Sequence, residues 1–259
     1  MTQTLALGLF FGMLLMHFPV SAQALSTDSV KVVWQSPEGE KALGDFHLAE
    51  LPASAHKKSQ EKDPVMGDVV SWEGYLLSSL VEKAWSQLSV DQRATVDLII
   101  LKGRDGARAA IPRVIVDKNP MLLAVKRKGQ EIGTRGPVYS VVPWTSQSKL
   151  KQEPLPWEHY FVAGVEQVEL TNSHSVYNGY FLTKRSDPRA VRGERVFVQG
   201  CIGCHDSTIE TSKKREHALT LAKGIEHKPI VGVPHFSEAD QKALQTYFKA
   251  LGTEVKPQN

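Results

Sequence analysis

The chain has 259 residues, 41% of them hydrophobic and 23% charged, the ordinary balance of a globular protein with room for one large folded unit or two smaller ones. A formal net charge of +3 is too small to suggest a nucleic-acid binder, and no internal repeat is visible. Only two cysteines occur, so a disulfide-dense scaffold is excluded.

Residues 1–24 differ from the rest. The run "LALGLFFGMLLMHFPV" contains no Lys, Arg, Asp or Glu and leads into Ala22-Gln23-Ala24, a small-x-small cleavage pattern. This is the form of a secretory signal peptide, although its n-region lacks a basic residue; a retained membrane anchor is the other reading. On either reading the bulk of the chain is exported, to a periplasmic location. No later segment approaches the ~20 apolar residues that a spanning helix needs.

From residue 25 to 170 short strand-like runs recur: "VKVVW", "DVVSWEG", "TVDLIILKG", "ARAAIP", "MLLAVKRKG", "PVYSVVPW" and "YFVAGVEQVEL". Residues 52–64, "PASAHKKSQEKDP", are polar and read as an exposed loop. One helix is expected over "YLLSSLVEKAWSQL", with Leu76, Leu77, Leu80, Val81, Ala84 and Trp85 on a wide apolar face. Turn residues stand at "RDGA" (104–107) and "KGQE" (128–131). Asp105, Asp117 and Glu131 are loop carboxylates near Arg104, Arg108 and Arg113, a pattern read as solvated charge. Trp144 and Trp157 flank a proline-containing polar loop and are read as core or boundary aromatics.

The pieces "SWEGYLLSSLVEKA", "DGARAAIP", "RGPVYSVVPW" and "YFVAGVEQVEL", in that order, resemble the molybdopterin-binding domain of the sulfite oxidase family in its short periplasmic form. The resemblance implies an α+β N-terminal domain over 25–170. In the catalytic members a cysteine thiolate binds molybdenum. The only cysteines, Cys201 and Cys204, are taken by a haem motif in the C-terminal segment, and the domain is shorter than a full cofactor-binding unit, so no molybdenum cofactor is expected. Residues 171–186, "TNSHSVYNGYFLTKRS", form a linker. Tyr177, Tyr180, Phe181 and Leu182 make it too apolar for a free tether, and it is expected to pack against its neighbours.

The remaining segment, 187–259, begins with a helix signal: Asp187 as the capping side chain after Ser186, and Pro188 at the first helical position. Along "RAVRGERVFVQGC", Gly193, Phe197 and Cys201 recur at four-residue intervals and share one stripe. A last helix opens at Ser237, with Leu244, Tyr247, Phe248 and Leu251 on one face and Gly252 as a C′ residue.

Cys201, Cys204 and His205 form "CIGCH". A disulfide across two intervening residues would close a tiny loop and restrain little of the unfolded chain. A thioredoxin-type pair would need a βαβ setting that is absent here. A structural zinc site needs four ligands, and three candidates cluster. Covalent haem uses all three residues: thioethers from Cys201 and Cys204, and His205 as the proximal iron ligand. Gly193, Phe197, Cys201, Cys204, His205 and Tyr247 together resemble class I cytochrome c over residues 186–252, which implies an all-α cytochrome c domain at the C-terminus. That family usually supplies a distal methionine before the last helix. No methionine follows Cys204 here, so His227 is the candidate distal ligand, with His235 or His217 as alternatives and an open iron as a further one.

These readings converge on an exported monohaem c-type electron carrier that is not itself an enzyme, its first domain serving as a docking module. Residues 174–259 carry 13 Lys and Arg against 9 Asp and Glu, which suits a redox partner protein with an acidic docking surface. The cytochrome c maturation machinery is the other implied partner. The alternatives are a haem-bearing subunit of a periplasmic oxidoreductase and, with an open iron position, a haem sensor or peroxidase-like protein.

Overall fold

The computed structural model describes residues 28–202, 213–223 and 236–255. Residues 1–24, expected as the signal segment, lie outside these. Among the described residues no helix is long and apolar enough to cross a membrane.

Two five-stranded sheets form the first part. Sheet A is built from β1 (Ser29–Ser36), β2 (Gly39–His47), β5 (Leu98–Gly103), β6 (Arg108–Pro112) and β10 (Val165–Thr171), in the order β2-β1-β10-β5-β6. Its only parallel pairing is between β1 and β10, with Val32 opposite Val168; the other neighbours are antiparallel. Sheet B runs β3 (His56–Lys62), β4 (Val69–Leu76), β7 (Leu122–Arg127), β8 (Gln130–Glu131), with β9 (Tyr139–Val141) also on β7. Helix α1 (Leu77–Trp85) buries Leu77, Leu80, Val81 and Ala84 in the main core, with α2 (Val90–Thr95) and α3 (Arg113–Lys118) beside it. Helix α4 (Ser173–Tyr177) follows β10. The remaining helices are α5 (Pro188–Val196), continued by a π-helical turn over Phe197–Cys201, then α6 (Lys214–Lys223) and α7 (Glu238–Val255).

The expected fold class, an α+β domain followed by an all-α domain, is corrected. Among the described residues the chain is a mixed α/β arrangement of two sheets with ten strands and seven helices. The reason lies in β5 and β6. Along β5, Ile99 and Leu101 enter the main core, while Leu98 and Ile100 point to the opposite face. There they join Ala110 of β6 and the buried side chains Tyr177, Tyr180, Val198, Phe197, Tyr247 and Leu251 in a second core. The C-terminal helices therefore share their core with the far face of sheet A. The uninterrupted apolar run "LIIL" is what a strand covered on both faces requires.

Three local expectations change as well. Residues 52–64 are not an open loop: 56–62 form edge strand β3, and Glu61 and Asp63 are fully buried. Glu61 accepts from the Thr145 and Ser146 amides and the Ser59 hydroxyl, and this is how a polar sequence holds a buried place. Tyr75 and Leu76 complete β4 instead of opening α1, because both continue the pairing with β7. Gly252 lies inside α7, which runs on to Val255. Trp144 and Trp157 are both buried in the main core. Of the loop carboxylates, Asp105 accepts from the Ala107 amide in its turn and Asp117 pairs with Arg113 one helical turn away.

Candidate functional site around Cys201

Helix α5 begins where the sequence places it. Asp187 accepts from the Arg189 amide at 2.8 Å, with Pro188 at the first helical position. Helix α7 starts with a reciprocal pair: Ser237 Oγ accepts from the Asp240 amide at 3.2 Å, and Asp240 Oδ2 accepts from the Ser237 amide and hydroxyl at 3.2 and 2.6 Å.

The two helices cross at Gly193. A methyl group there would stand 2.0 Å from the Ala243 carbonyl oxygen and 2.7 Å from Tyr247 Cβ, so only glycine permits the approach. One turn on, the Phe197 ring sits 5.3 Å from the rings of both Tyr247 and Phe248. Burial pushes the Tyr247 phenol well above its ordinary range, with the nearby Glu194 carboxylate adding to the effect. The neutral hydroxyl donates to the Tyr180 carbonyl at 2.7 Å.

Cys201 closes the π-helical turn, half-buried at the rim of this aromatic cluster. Gly200 brings the turn against the first part of the chain, since a Cβ there would meet the Pro154 carbonyl at 2.7 Å and the Phe236 ring at 3.1 Å. Cys204 and His205 lie outside the described residues, as do His227 and His235. His217 is described on α6, half-buried, with Nδ1 3.0 Å from the Tyr180 hydroxyl.

For haem, the chemistry of the described residues fits. A half-exposed thiol, Cys201, stands at the edge of an aromatic cluster, and in the sequence the second thiol and the imidazole follow it three and four residues on. His217 has one ring nitrogen engaged by a hydroxyl, the kind of bond that orients a ligating imidazole. The phenol partner, Tyr180, was read from sequence only as an apolar linker residue.

Sequence reasoning also missed Glu194. It is buried, accepts from the Leu182 amide at 2.6 Å and pairs with Arg185 at 2.7 Å. At the other end of the cluster Glu254 accepts from the Thr183 and Lys184 amides, each at 3.0 Å, and pairs with Arg215 at 2.9 Å. Segment 182–185 is thereby fixed to both crossing helices. The only advance signal was a carboxylate placed on the same helix as an apolar stripe.

Asp240 and Glu254 set an acid limit. Burial works against ionised Asp240, but the Ser237 hydroxyl and the Arg192 guanidinium outweigh it and hold its pKa below the ordinary 3.8. Burial likewise opposes ionised Glu254, and the Lys184 and Thr183 amides with Arg215 outweigh it, holding it below 4.5. A depressed folded pKa means that the stabilisation is complete above the ordinary value and is lost as pH falls through the folded one. The α5–α7 pair is expected to loosen as pH drops below the ordinary carboxylate range. Circular dichroism of helix content against pH checks this; Glu254→Gln flattens the same acid limb.

A crease of about 830 Å³ separates β5 and β6 from α5, lined by Leu98, Ala110, Arg113, Val191, Arg195 and Val198. The chain matches no protein-family model, and no curated protein shows significant similarity to it.

Proposed function

We propose that the chain is an exported carrier of single electrons with one covalent haem. Cys201 and Cys204 form the thioethers and His205 is the proximal iron ligand. His227 is the distal ligand of this reading, with His235 or His217 in its place if substitution removes it from consideration. The haem supplies the one-electron iron couple, and histidine in place of methionine on the distal side lowers the potential. The protein's own part is to hold the attachment helix against α7, to exclude water from the Phe197–Tyr247 side, and to fix this unit on sheet A.

The observation that carries the reading is the Gly193 crossing. It packs Phe197 on Tyr247 and sets Cys201, half-buried, at the rim of the aromatic cluster, whose apolar side chains would back a macrocycle joined to that thiol. The sheet-bearing part is a docking module in this reading. It has no cysteine to serve as a molybdenum ligand, and its partner is a redox protein with an acidic surface.

Protein matured in a periplasm with the haem-attachment machinery is expected to retain porphyrin after denaturation. Cys201→Ser with Cys204→Ser is expected to abolish that retention entirely. Absence of porphyrin from the parent protein overturns the proposal. His227→Ala then reads the distal side: loss of the low-spin spectrum assigns the ligand, and an unchanged spectrum transfers the role to His235 or His217.

A further inference from the structure

The turn between β3 and β4, residues 63–68, presents apolar side chains to solvent in a fixed shape. Five large hydrophobic side chains are exposed among the described residues, and three of them stand in this turn or at its edge: Val65 at 71%, Met66 at 65% and Val69, the first residue of β4, at 56%. Scattered exposed hydrophobics are normal, but three within five residues at a hairpin tip form a patch.

The tip is rigid because Asp63, fully buried, organises it. Its Oδ1 accepts from the Val65 and Met66 amides at 2.9 and 3.1 Å. Its carbonyl accepts from the Gly67 amide and its own amide donates to the Asp68 carbonyl, each at 2.8 Å. Arg127 and Arg135 close on its carboxylate at 3.1 and 2.9 Å. Around the tip Lys62, Arg127, Lys128 and Arg135 stand against Glu61, Asp63 and Asp68, of which Glu61 and Asp63 are buried, leaving Lys62 and Lys128 against Asp68 on the exposed face.

We propose that this hairpin tip is a shallow docking element for an anionic phospholipid surface. Three features favour a bilayer over the other occupants. The amides of residues 65–67 are satisfied inside the turn, so the tip enters an apolar phase without exposing unpaired donors. The outward side chains carry no polar group to pair with a protein partner. The exposed ammonium groups beside the tip, Lys62 and Lys128, stand on long stems that let them reach headgroups while the tip sits deeper, whereas Arg127 and Arg135 stay on Asp63. A second copy of the chain is disfavoured, because edge strand β3 exposes Lys57, Lys58 and Lys62, and like charges meet when two such edges approach. The proposal is independent of the haem.

The test is flotation of the full chain with phosphatidylcholine vesicles containing one-quarter phosphatidylglycerol, lipid being titrated to half-partition, against vesicles of phosphatidylcholine alone. The partition that the tip variants lose is expected to require phosphatidylglycerol and to weaken with salt. Val65→Asp with Met66→Asp is expected to lower partition by about tenfold or more, and Lys62→Gln or Lys128→Gln by roughly fivefold each. The parent and variants share residues 1–24, so the difference between them belongs to the tip. Val65→Ser with Met66→Ser, equally exposed, is read beside the aspartate pair and is expected to weaken partition at an unchanged unfolding midpoint. Equal partition of parent and tip variants overturns the proposal, as does a parent–variant difference that is the same with and without phosphatidylglycerol. Tip-dependent binding of an acidic protein without any vesicle affinity overturns it in favour of a protein partner.

Discussion

Gly193→Val is expected to lower the unfolding free energy by about 3 kcal/mol or more. A side-chain carbon at 2.0 Å from the Ala243 carbonyl cannot be accommodated, because real Cβ atoms essentially never come closer than 3.0 Å. The two nearest obstructing atoms are the Ala243 carbonyl and the third is the Tyr247 Cβ, none of which a rotamer change moves, so the helices must part by about an ångström. Separation strips the Phe197–Tyr247 contact and lengthens the bond from the Tyr247 hydroxyl to the Tyr180 carbonyl. Gly193→Ala is the milder form: about 1 kcal/mol of helix propensity is gained, against overpacking of about 3 kcal/mol. Urea unfolding checks both variants. If the haem proposal holds, porphyrin yield falls in the same order, because the helix that presents Cys201 loses its backing.

Asp63→Ala is expected to cost about 2–3 kcal/mol, since two tip amides and two guanidinium groups lose a common acceptor. Arg127 and Arg135 are each about one-quarter exposed, so water takes up part of the loss. Asp63→Asn keeps an acceptor oxygen for the Val65 and Met66 amides and loses only the charge; about 1–2 kcal/mol is expected. The pH dependence separates charge from shape. Burial opposes the ionised form of Asp63, but the Met66 and Val65 amides and Arg135 outweigh it and hold the carboxyl below its ordinary 3.8. The charge contribution is therefore present above that value and disappears as pH falls through the folded pKa. The stability gap between parent and Asp63→Asn is expected to close in strong acid, whereas the gap to Asp63→Ala persists. The Tyr139 phenol, pushed up to about 12 by burial and by Asp63, provides a second readout: removing that carboxylate lets it titrate at lower pH.

The sequence makes the helix pair legible because its geometry depends on local rules. A capping aspartate, a proline after it and a four-residue stripe of Gly193, Phe197 and Cys201 need no knowledge of distant residues. Strands β4, β5, β6, β7, β9 and β10 likewise appear as β-branched runs bounded by turns, and "KGQE" becomes the β7–β8 hairpin with Lys128 and Gly129 at φ 53° and 78°. Strand β3 is different. "HKKSQEK" has no apolar residue, and Glu61 is buried only because amides some 84 positions later come to meet it. Strand β2 bends at Gly44, φ +132°, beside a register shift in β1, which blurs its alternation. The fold-class error has the same origin. A chain that covers one sheet from both sides looks, along its length, like two units in series, and only "LIIL" hinted that β5 had two neighbours to serve.

The parallel pairing of β1 with β10 sets an order on synthesis. Val32 waits for Val168, so the first strand has its central partner only after 136 further residues have been made. Until then β1 and β2 are a lone two-stranded ribbon, too small to persist in water, and closing so long a separation is entropically slow. A nascent chain of this kind stays pliable for most of its length. Such a delay would suit the export proposed for this chain, in which a polypeptide is threaded through a membrane before it folds.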